Sequence, residues 1–235
     1  MSTRAVVVCG GGRRSDPWHD LAATGQAVAD VLGGRGILAR VTSDPADVLV
    51  GGRFEADLLV VNSSERGQDD SPHHDQHGPA DEDPTLLAAA IAAHVAAGLP
   101  VLALHSAAQA FPDQPAWASI LGARWVDGRS MHPDLDLTTV QVQPGPWGIG
   151  TGLADVTVTD ERYCHLEPVT DLGALRPHLT HRHEGVVHPL AWAREVGPTG
   201  ARVVYDALGH DVRSYASSTR RALLEAELDW LLRLR

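Results

Sequence analysis

The sequence contains no lysine, and all 19 of its basic residues are arginine. This absence excludes two classes of site, because a Walker-type phosphate loop uses a lysine and Schiff-base enzymes need an amine nucleophile. The 30 acidic residues give a net charge of −11. No basic face is therefore expected to follow a phosphate backbone, and the composition predicts no nucleic-acid partner.

Cysteine is scarce as well, since only Cys9 and Cys164 occur. Two cysteines are too few for a disulfide framework or a cysteine-based zinc site. Long apolar runs are also missing: the N-terminal run AVVVC is shorter than a signal-peptide core, and no stretch approaches the roughly 18 apolar residues of a membrane helix. These absences predict a soluble, cytoplasmic protein without a membrane partner.

The first half of the chain alternates short apolar strands with amphipathic helices. Strands are predicted at 5–9, 37–42, 57–62 and 100–104. Helices are predicted to begin at Asp16-Pro17 and Asp83-Pro84 and to end at Gly33-Gly34 and Gly98. This alternation is typical of βαβ units, so it predicts an α/β domain with a mostly parallel sheet.

The pattern changes from Leu137 onward, where polar and apolar residues alternate. Further strands are predicted at 138–142, 155–159, 190–196 and 202–205, and a last amphipathic helix at 219–234. This helix either covers the sheet or forms a homo-oligomer face. Because no linker-like segment or internal repeat interrupts the chain, residues 1–235 are predicted to form a single domain.

His105 stands directly after the fourth predicted strand, in the segment LALHSAA. Ligands of open parallel sheets bind where the carboxyl ends of the strands meet. The same sharp turn carries the nucleophile in elbow-type enzymes, and here an imidazole takes that place. We therefore predict His105 as a site residue rather than a histidine hydrogen-bonded into the turn. Ser106 is the less favoured nucleophile candidate because it follows the apex.

Five segments occur in a fixed order in the second part of the chain: VLALHSAAQAF, LGARW with the downstream His132, TDERY, PLAWAREVG and ARVVYDALGHD. In this order they resemble the ThuA-like (trehalose-utilisation) family, from about Pro84 to the C-terminus. The resemblance implies the flavodoxin-like, three-layer fold of the class I glutamine amidotransferase-like superfamily. It does not imply glutaminase chemistry, because His105 stands where that chemistry needs a cysteine.

The resemblance also points to site residues in three loops. It maps an acidic-aromatic motif onto Asp160, Glu161 and Tyr163, a site histidine onto His210 in the GHD step, and a His-Pro position onto His132. In the predicted mechanism His105 and His210 share the acid and base roles. Glu161 orients or deprotonates the substrate, and Tyr163 donates a hydrogen bond to the charge that develops on it.

Two further residues have two interpretations each. Asp211 either accepts the second N–H of His210 or caps a helix, and Trp192 in PLAWARE either contacts a sugar or belongs to the core. Substrate contacts are also predicted for Ser106 and His132. The other tryptophans considered (Trp117, Trp125 and Trp230) fall on apolar patterns and are predicted to be structural.

A divalent metal such as zinc is an open alternative to a metal-free acid–base site. Its candidate ligands are His105, His132, Glu161 and His210, since imidazole and carboxylate suit this ion. Their long spacings give no HExxH-type signature.

Three other segments remain open. The histidine-rich stretch His73–His77 is either a lid over the cleft or a solvated loop, and the same ambiguity holds for His181–His183. Gly10–Gly12 lacks GxGxxG spacing, so it is predicted to be a close backbone turn that lines the cleft.

The resemblance and the histidine–carboxylate pattern lead to one preferred function. The chain is predicted to act in carbohydrate catabolism on a disaccharide such as trehalose or its keto derivative, as an isomerase, lyase or hydrolase. The alternatives are a non-catalytic sugar-binding or regulatory module and a metal-dependent hydrolase.

Overall fold

The computed structural model describes residues 2–65, 84–169 and 175–234, which form five α-helices and thirteen β-strands. The helices are α1 (Leu21–Gly34), α2 (Pro84–Ala96), α3 (Pro115–Leu121), α4 (Val212–Ala216) and α5 (Ser218–Leu232). The strands are β1 (Arg4–Cys9), β2 (Leu38–Thr42), β3 (Leu49–Val50), β4 (Arg53–Phe54), β5 (Leu58–Asn62), β6 (Val101–Leu104), β7 (Ala123–Arg124), β8 (Asp136–Val142), β9 (Val156–Asp160), β10 (Glu167–Pro168), β11 (Pro177–His183), β12 (Val186–Val196) and β13 (Ala201–Asp206).

Nine strands form one sheet in the order β2-β1-β5-β6-β13-β12-β11-β8-β9. The first five of these pair in parallel, and the remaining pairs are antiparallel. The α/β fold and the parallel half predicted from the sequence are confirmed, and the antiparallel half makes the sheet a mixed one.

Helices pack on both faces of the parallel half because its crossovers run in opposite directions. From β1 the chain passes through α1 to β2 at one edge, whereas from β5 it passes through α2 to β6 toward the centre. Since such crossovers are right-handed, the two helices fall on opposite faces. The central strands β1, β5 and β6 are therefore buried on both sides, which explains their continuous apolar runs.

The carboxyl ends of β1, β5, β6 and β13 meet at one edge of the sheet. The antiparallel strands curve back toward this edge. As a result, Asp160 at the end of β9 accepts hydrogen bonds from the backbone of Gly209 and His210 beyond β13. Loops from both halves of the sheet therefore converge on one place.

Two local predictions are wrong. Asp16-Pro17 does not begin the first helix: α1 begins at Leu21, where Asp20 caps it by accepting a hydrogen bond from the backbone N–H of Ala23. The segment around His181 is the strand β11, paired with β12, and not a loop. Its histidines hid the pattern, since His178 and His181 occupy buried positions that apolar residues usually fill.

The last helix covers the sheet. Leu223, Leu224, Leu228 and Leu231 of α5 are buried within the chain, and the helix packs against β9 and β13. Among the helices in the described ranges, none is long and apolar enough to cross a membrane.

Candidate functional site

The turn after β6 places His105 at the edge where the parallel strands end. His105 opens a short 3-10 turn and has a φ of 41°, a left-handed conformation that costs a residue with a β-carbon about 1–3 kcal/mol. The Tyr205 hydroxyl donates a hydrogen bond of 2.8 Å to the His105 carbonyl. The sharp turn predicted from the sequence is therefore present, and it holds a buried imidazole, since His105 is only 1% exposed.

Both ring nitrogens of His105 have close neighbours. Nδ1 lies 2.6 Å from the Ala207 carbonyl oxygen, which can only accept, so Nδ1 carries a proton and Nε2 is the ring nitrogen that faces the site. Nε2 lies 3.0 Å from His19 Nε2, 3.1 Å from the Tyr163 hydroxyl and 3.5 Å from Glu161 Oε2. The loops after β1 and β9 thus meet the His105 turn at one nitrogen atom.

His19 is a site residue that the sequence analysis missed. It lies in the loop after β1, and its Nδ1 is 2.6 Å from Asp16 Oδ2 and 2.8 Å from Asp16 Oδ1. The same carboxylate accepts hydrogen bonds from the backbone N–H groups of Trp18 and His19, so the loop closes around Asp16. The available signal was an aspartate and a histidine three residues apart, behind a strand that ends at the same edge as His105.

Glu161 lies between the imidazoles of two other loops. Its Oε2 is 3.3 Å from His210 Nδ1, and its Oε1 is 3.5 Å from His132 Nδ1. The preceding Asp160 is completely buried and accepts hydrogen bonds from the backbone N–H groups of Gly209 and His210 at 2.8 and 3.1 Å. Asp160 therefore fixes the loop that carries His210.

Asp211 takes the second of its two predicted roles. Its carboxylate caps α4 by accepting a hydrogen bond from the backbone N–H of Arg213 at 2.8 Å, and it also pairs with the Arg213 guanidinium. The structure thus assigns the positioning of His210 to Asp160 and makes Asp211 a helix cap.

A cavity of about 370 Å³ opens beside these side chains. Its lining residues come from five loops: Trp18, His19, Gln109, Trp125, His132, Glu161, Tyr163 and His210. Tyr163 forms the floor, with its ring stacked on His132 and edge-on to Trp125. Trp125, which was predicted to be structural, is therefore a cavity residue.

Ser106 and Trp192 lie outside this lining. Ser106 is fully buried, and its hydroxyl donates to the Ser63 carbonyl at 3.3 Å. Trp192 is 1% exposed and its indole N–H donates to the Leu121 carbonyl, so a sugar has no face of this ring to contact. Trp117 is also a core residue, with its indole N–H donating to the Ala107 carbonyl, and the predominantly buried Trp230 packs on Trp147.

Gly10 and Gly11 line a neighbouring cavity of about 730 Å³, together with the loop that carries Asp16 and His19. All three glycines of Gly10–Gly12 have positive φ, as a close turn requires. His181 lies buried in β11 behind Cys164. The segment His73–His77 lies outside the described residues.

The site keeps a negative charge on Glu161. Burial alone raises the pKa of this carboxyl, but contacts with His105 and His210 outweigh burial and hold the pKa well below its usual range. For His210 burial favours the neutral ring, yet the neighbouring Glu161 carboxylate raises the pKa above its ordinary value. Burial also raises the pKa of the Tyr163 hydroxyl, so Tyr163 remains a hydrogen-bond donor.

Four of these side chains form a group with metal-ligand chemistry, which we call the site cluster: His19, His105, Glu161 and His210. One ligand atom from each lies within 4.8 Å of all the others. Three of the four metal candidates from the sequence belong to this group. His19 takes the place of His132, which is partly exposed and faces the cavity.

The family model for ThuA, described as trehalose utilisation, matches residues 5–231. The chain belongs to the ThuA family. The resemblance of the five sequence segments is thereby confirmed, and it extends over the first half of the chain as well.

Solved ThuA-like structures share this fold at low sequence identity. A ThuA-like protein from Parabacteroides merdae ATCC 43184 has a TM-score of 0.72 at 16% identity, and the match covers 99% of this chain and 90% of that one. A ThuA-like protein from Bacteroides uniformis ATCC 8492 has a TM-score of 0.69 at 13% identity, with 97% and 91% covered.

A β-galactosidase from the haloarchaeon Halorubrum lacusprofundi also contains a similar region. Its TM-score is 0.56 at 17% identity, and the match covers 97% of this chain but only 30% of that protein. These structural likenesses show the fold alone. No curated protein matches the chain.

Proposed function

We propose that this ThuA protein is an enzyme of carbohydrate catabolism that acts on a disaccharide such as trehalose or its keto derivative. One observation carries the proposal: two imidazoles, of His19 and His210, and the ionised Glu161 carboxylate line a cavity of about 370 Å³, with the His105 imidazole directly behind them. That volume lies within the range of about 300–1,000 Å³ that is typical of small-molecule sites. The family description supports a sugar as the ligand.

The walls of the cavity suit a sugar ring. Trp18 and Trp125 offer apolar ring surfaces on which the C–H faces of a pyranose pack, and Trp18 is 59% exposed. Gln109 and His132 offer polar atoms for hydroxyl groups. A ligand held in this way lies directly against Glu161.

The acid–base scheme predicted from the sequence fits the charges of the site. Glu161 is ionised at neutral pH and His210 holds its proton more tightly than a free imidazole does, so the two form an acid–base pair at the cavity surface. Tyr163 donates a hydrogen bond to charge that develops on the substrate. Glu161 and His210 can thus transfer a proton at an atom next to a keto group, a step that isomerase, lyase and hydrolase reactions share.

His105 acts behind this surface rather than on the substrate itself. It is buried and is not among the described cavity-lining residues, and its Nε2 faces His19, Tyr163 and Glu161. Glutaminase chemistry is not part of the proposal. His105 stands at the nucleophile position, and burial raises the pKa of both cysteine thiols to about 11.

The proposal is tested by turnover and thermal-melting measurements with trehalose, other disaccharides and their 3-keto derivatives. We expect one sugar to stabilise and be converted by the wild type, and conversion to be lost in Glu161→Gln and His210→Ala. The matched control is His183→Ala, at the last residue of β11, which should leave turnover unchanged. Binding without turnover would instead favour the sugar-binding module, and no response to any sugar would contradict the proposal.

A further inference from the structure

We propose that the site cluster binds one divalent transition-metal ion of the zinc class, held by His19 Nε2, His105 Nε2, His210 Nδ1 and Glu161 Oε2. This inference goes beyond the proposed function, because it names a cofactor and rests on the geometry of the four side chains alone. It holds whether or not the substrate is a sugar.

The Nε2 atoms of His19 and His105 face each other at the centre of the site cluster. His19 Nδ1 faces the Asp16 carboxylate, and His105 Nδ1 faces the Ala207 carbonyl. Both partners only accept, so each Nδ1 carries a proton and the two Nε2 atoms are left to face each other. They lie 3.0 Å apart in a nearly dry place; two lone pairs or two N–H groups would repel there, so the contact needs a metal ion or a single shared proton between the two atoms.

Three of the six separations between the ligand atoms match a small ion, and all six are within 4.8 Å. Zinc binds imidazole nitrogen at about 2.0–2.1 Å and carboxylate oxygen at about 2.0–2.2 Å, so two ligand atoms of a tetrahedral site lie about 3.3 Å apart. The observed separations are 3.0 Å for His19 and His105, 3.5 Å for His105 and Glu161, and 3.3 Å for His210 and Glu161. His210 Nδ1 is buried and forms no aligned hydrogen bond at that distance, as expected for a ligand atom.

Groups behind the cluster hold the ligands in this orientation. Metal-binding histidines usually donate their second ring N–H to a carboxylate or a backbone carbonyl. Asp16 does this for His19, and the Ala207 carbonyl does it for His105. Asp160 fixes the backbone of His210. Three imidazoles and one carboxylate select a zinc-class ion over magnesium or calcium, which prefer oxygen ligands.

The bound ion would face the cavity. His19, Glu161 and His210 line the cavity, whereas His105 closes the site from behind. Bound there, the ion would act as a Lewis acid that polarises a hydroxyl or carbonyl oxygen of a ligand in the cavity. His105 and His210 then act as ligands rather than as acid and base, and proton transfer falls to His132, which lies 3.5 Å from Glu161 Oε1.

Zinc binding to the full chain tests the inference without any substrate. Protein stripped with a chelator is titrated with zinc, and the bound zinc is counted after dialysis. The background is a variant in which His73, His74 and His77 are alanine, which removes the histidine-rich segment as a competing binder. We expect one zinc per chain, a loss of affinity of at least about 100-fold in His19→Ala and in His210→Ala, and a small change in the control His132→Ala.

The outcomes separate this inference from the proposed function. Circular dichroism and the melting curve establish that each variant is folded. One zinc per chain without conversion of any sugar supports the metal site and contradicts only the sugar assignment. No bound zinc, or an affinity unchanged in folded His19→Ala, overturns the metal site, and a proton shared by His19 and His105 then explains the 3.0 Å contact.

Discussion

The protein buries two groups of imidazoles and carboxylates, and they neutralise their charge in different ways. The site cluster combines three imidazoles with Glu161. The second group, which we call the charge cluster, lies under α5 and consists of His178, Asp206, Arg220 and Glu227. Arg220 donates toward Asp206 at 2.9 Å, and His178 Nε2 lies 2.7 Å from Glu227 Oε1.

The charge cluster contains its own cation, Arg220, and is closed to solvent. Asp206, Arg220 and Glu227 are all 0% exposed. Burial raises the pKa of Asp206 to about 8 and of Glu227 to about 7, against the opposing effect of Arg220. Burial also lowers the pKa of His178 to about 4. Near neutral pH the guanidinium is therefore balanced by one carboxylate charge shared between Asp206 and Glu227, while a retained proton neutralises the other carboxyl.

The site cluster has the opposite character. Glu161 stays ionised, its contacts are imidazoles, and the cavity gives access from solvent. The comparison teaches that burial of histidine and carboxylate is not by itself a sign of function. A cluster that contains its own guanidinium stabilises the fold. A cluster of imidazoles and an ionised carboxylate beside a cavity can instead bind an external cation.

Removal of the built-in cation should have the largest effect on stability. In Arg220→Met the carboxylate charge shared by Asp206 and Glu227 loses its cation in the core, and a broken buried ion pair costs about 3–5 kcal/mol. For a chain of this size each kcal/mol shifts the melting temperature by about 2–4 °C. Thermal and urea unfolding measure the loss. Arg221→Met, at an exposed position of the same helix, should stay within about 0.5 kcal/mol, and equal effects of the two variants would contradict the role of the charge cluster.

An external cation should stabilise only through the site cluster. Zinc at about 100 times its dissociation constant adds about 2.7 kcal/mol to the free energy of unfolding. Melting curves with zinc and with chelator should show this gain in the wild type and no gain in His19→Ala. Arg220→Met, if it folds, should gain as much as the wild type. A zinc-dependent gain that survives in His19→Ala would place the ion elsewhere.

The support behind His19 should have an intermediate effect. Asp16→Asn keeps all four ligands but weakens the acceptor that orients the His19 ring. Loss of such a partner typically lowers metal affinity 10- to 100-fold, and zinc titration of the folded variant measures it. Asp211→Asn is the matched control, since Asp211 caps α4, and its zinc affinity should match that of the wild type. An unchanged affinity in Asp16→Asn would remove Asp16 from the account.

The charge cluster also predicts a pH dependence of stability. Asp206 and Glu227 have folded pKa values of about 8 and about 7, above the unfolded values of about 3.9 and 4.3. Their contribution is therefore fully present below pH 4 and is lost as the pH rises through 7 and 8. His178 acts in the opposite direction, but only between about pH 4 and its unfolded value of about 6.5.

The melting temperature, measured with chelator present, should therefore fall between pH 6.5 and 8. Glu227→Gln should flatten this decline, and Glu225→Gln on the same helix should leave it unchanged. A melting temperature that stays constant over this range would show that the carboxyls of the charge cluster are already ionised in the folded protein.

Local patterns in the sequence were enough to predict the parallel half of the sheet and the His105 turn. Apolar runs closed by glycine mark buried strands, and such strands end at a common edge. The motif resemblance placed Glu161, Tyr163 and His210 near this edge, where the structure brings them together.

The missed features depend on contacts between distant segments. Asp16-Pro17 has the local pattern of a helix start, but the Asp16 carboxylate instead holds His19 against His105, which lies 86 residues further along the chain. The role of Asp160 depends on the curvature of the antiparallel strands, which brings β9 to Gly209. Polar side chains in buried strand positions, such as His178 with its partner Glu227, give no local signal of the strand that contains them.

Anomalous X-ray scattering at the zinc edge, from crystals of the zinc-loaded protein, would locate the ion. We expect one strong peak, about 2.0–2.2 Å from His19 Nε2, His105 Nε2, His210 Nδ1 and Glu161 Oε2. A map with no peak among these four atoms, or with its only peak at other histidines of the chain, would contradict the metal site.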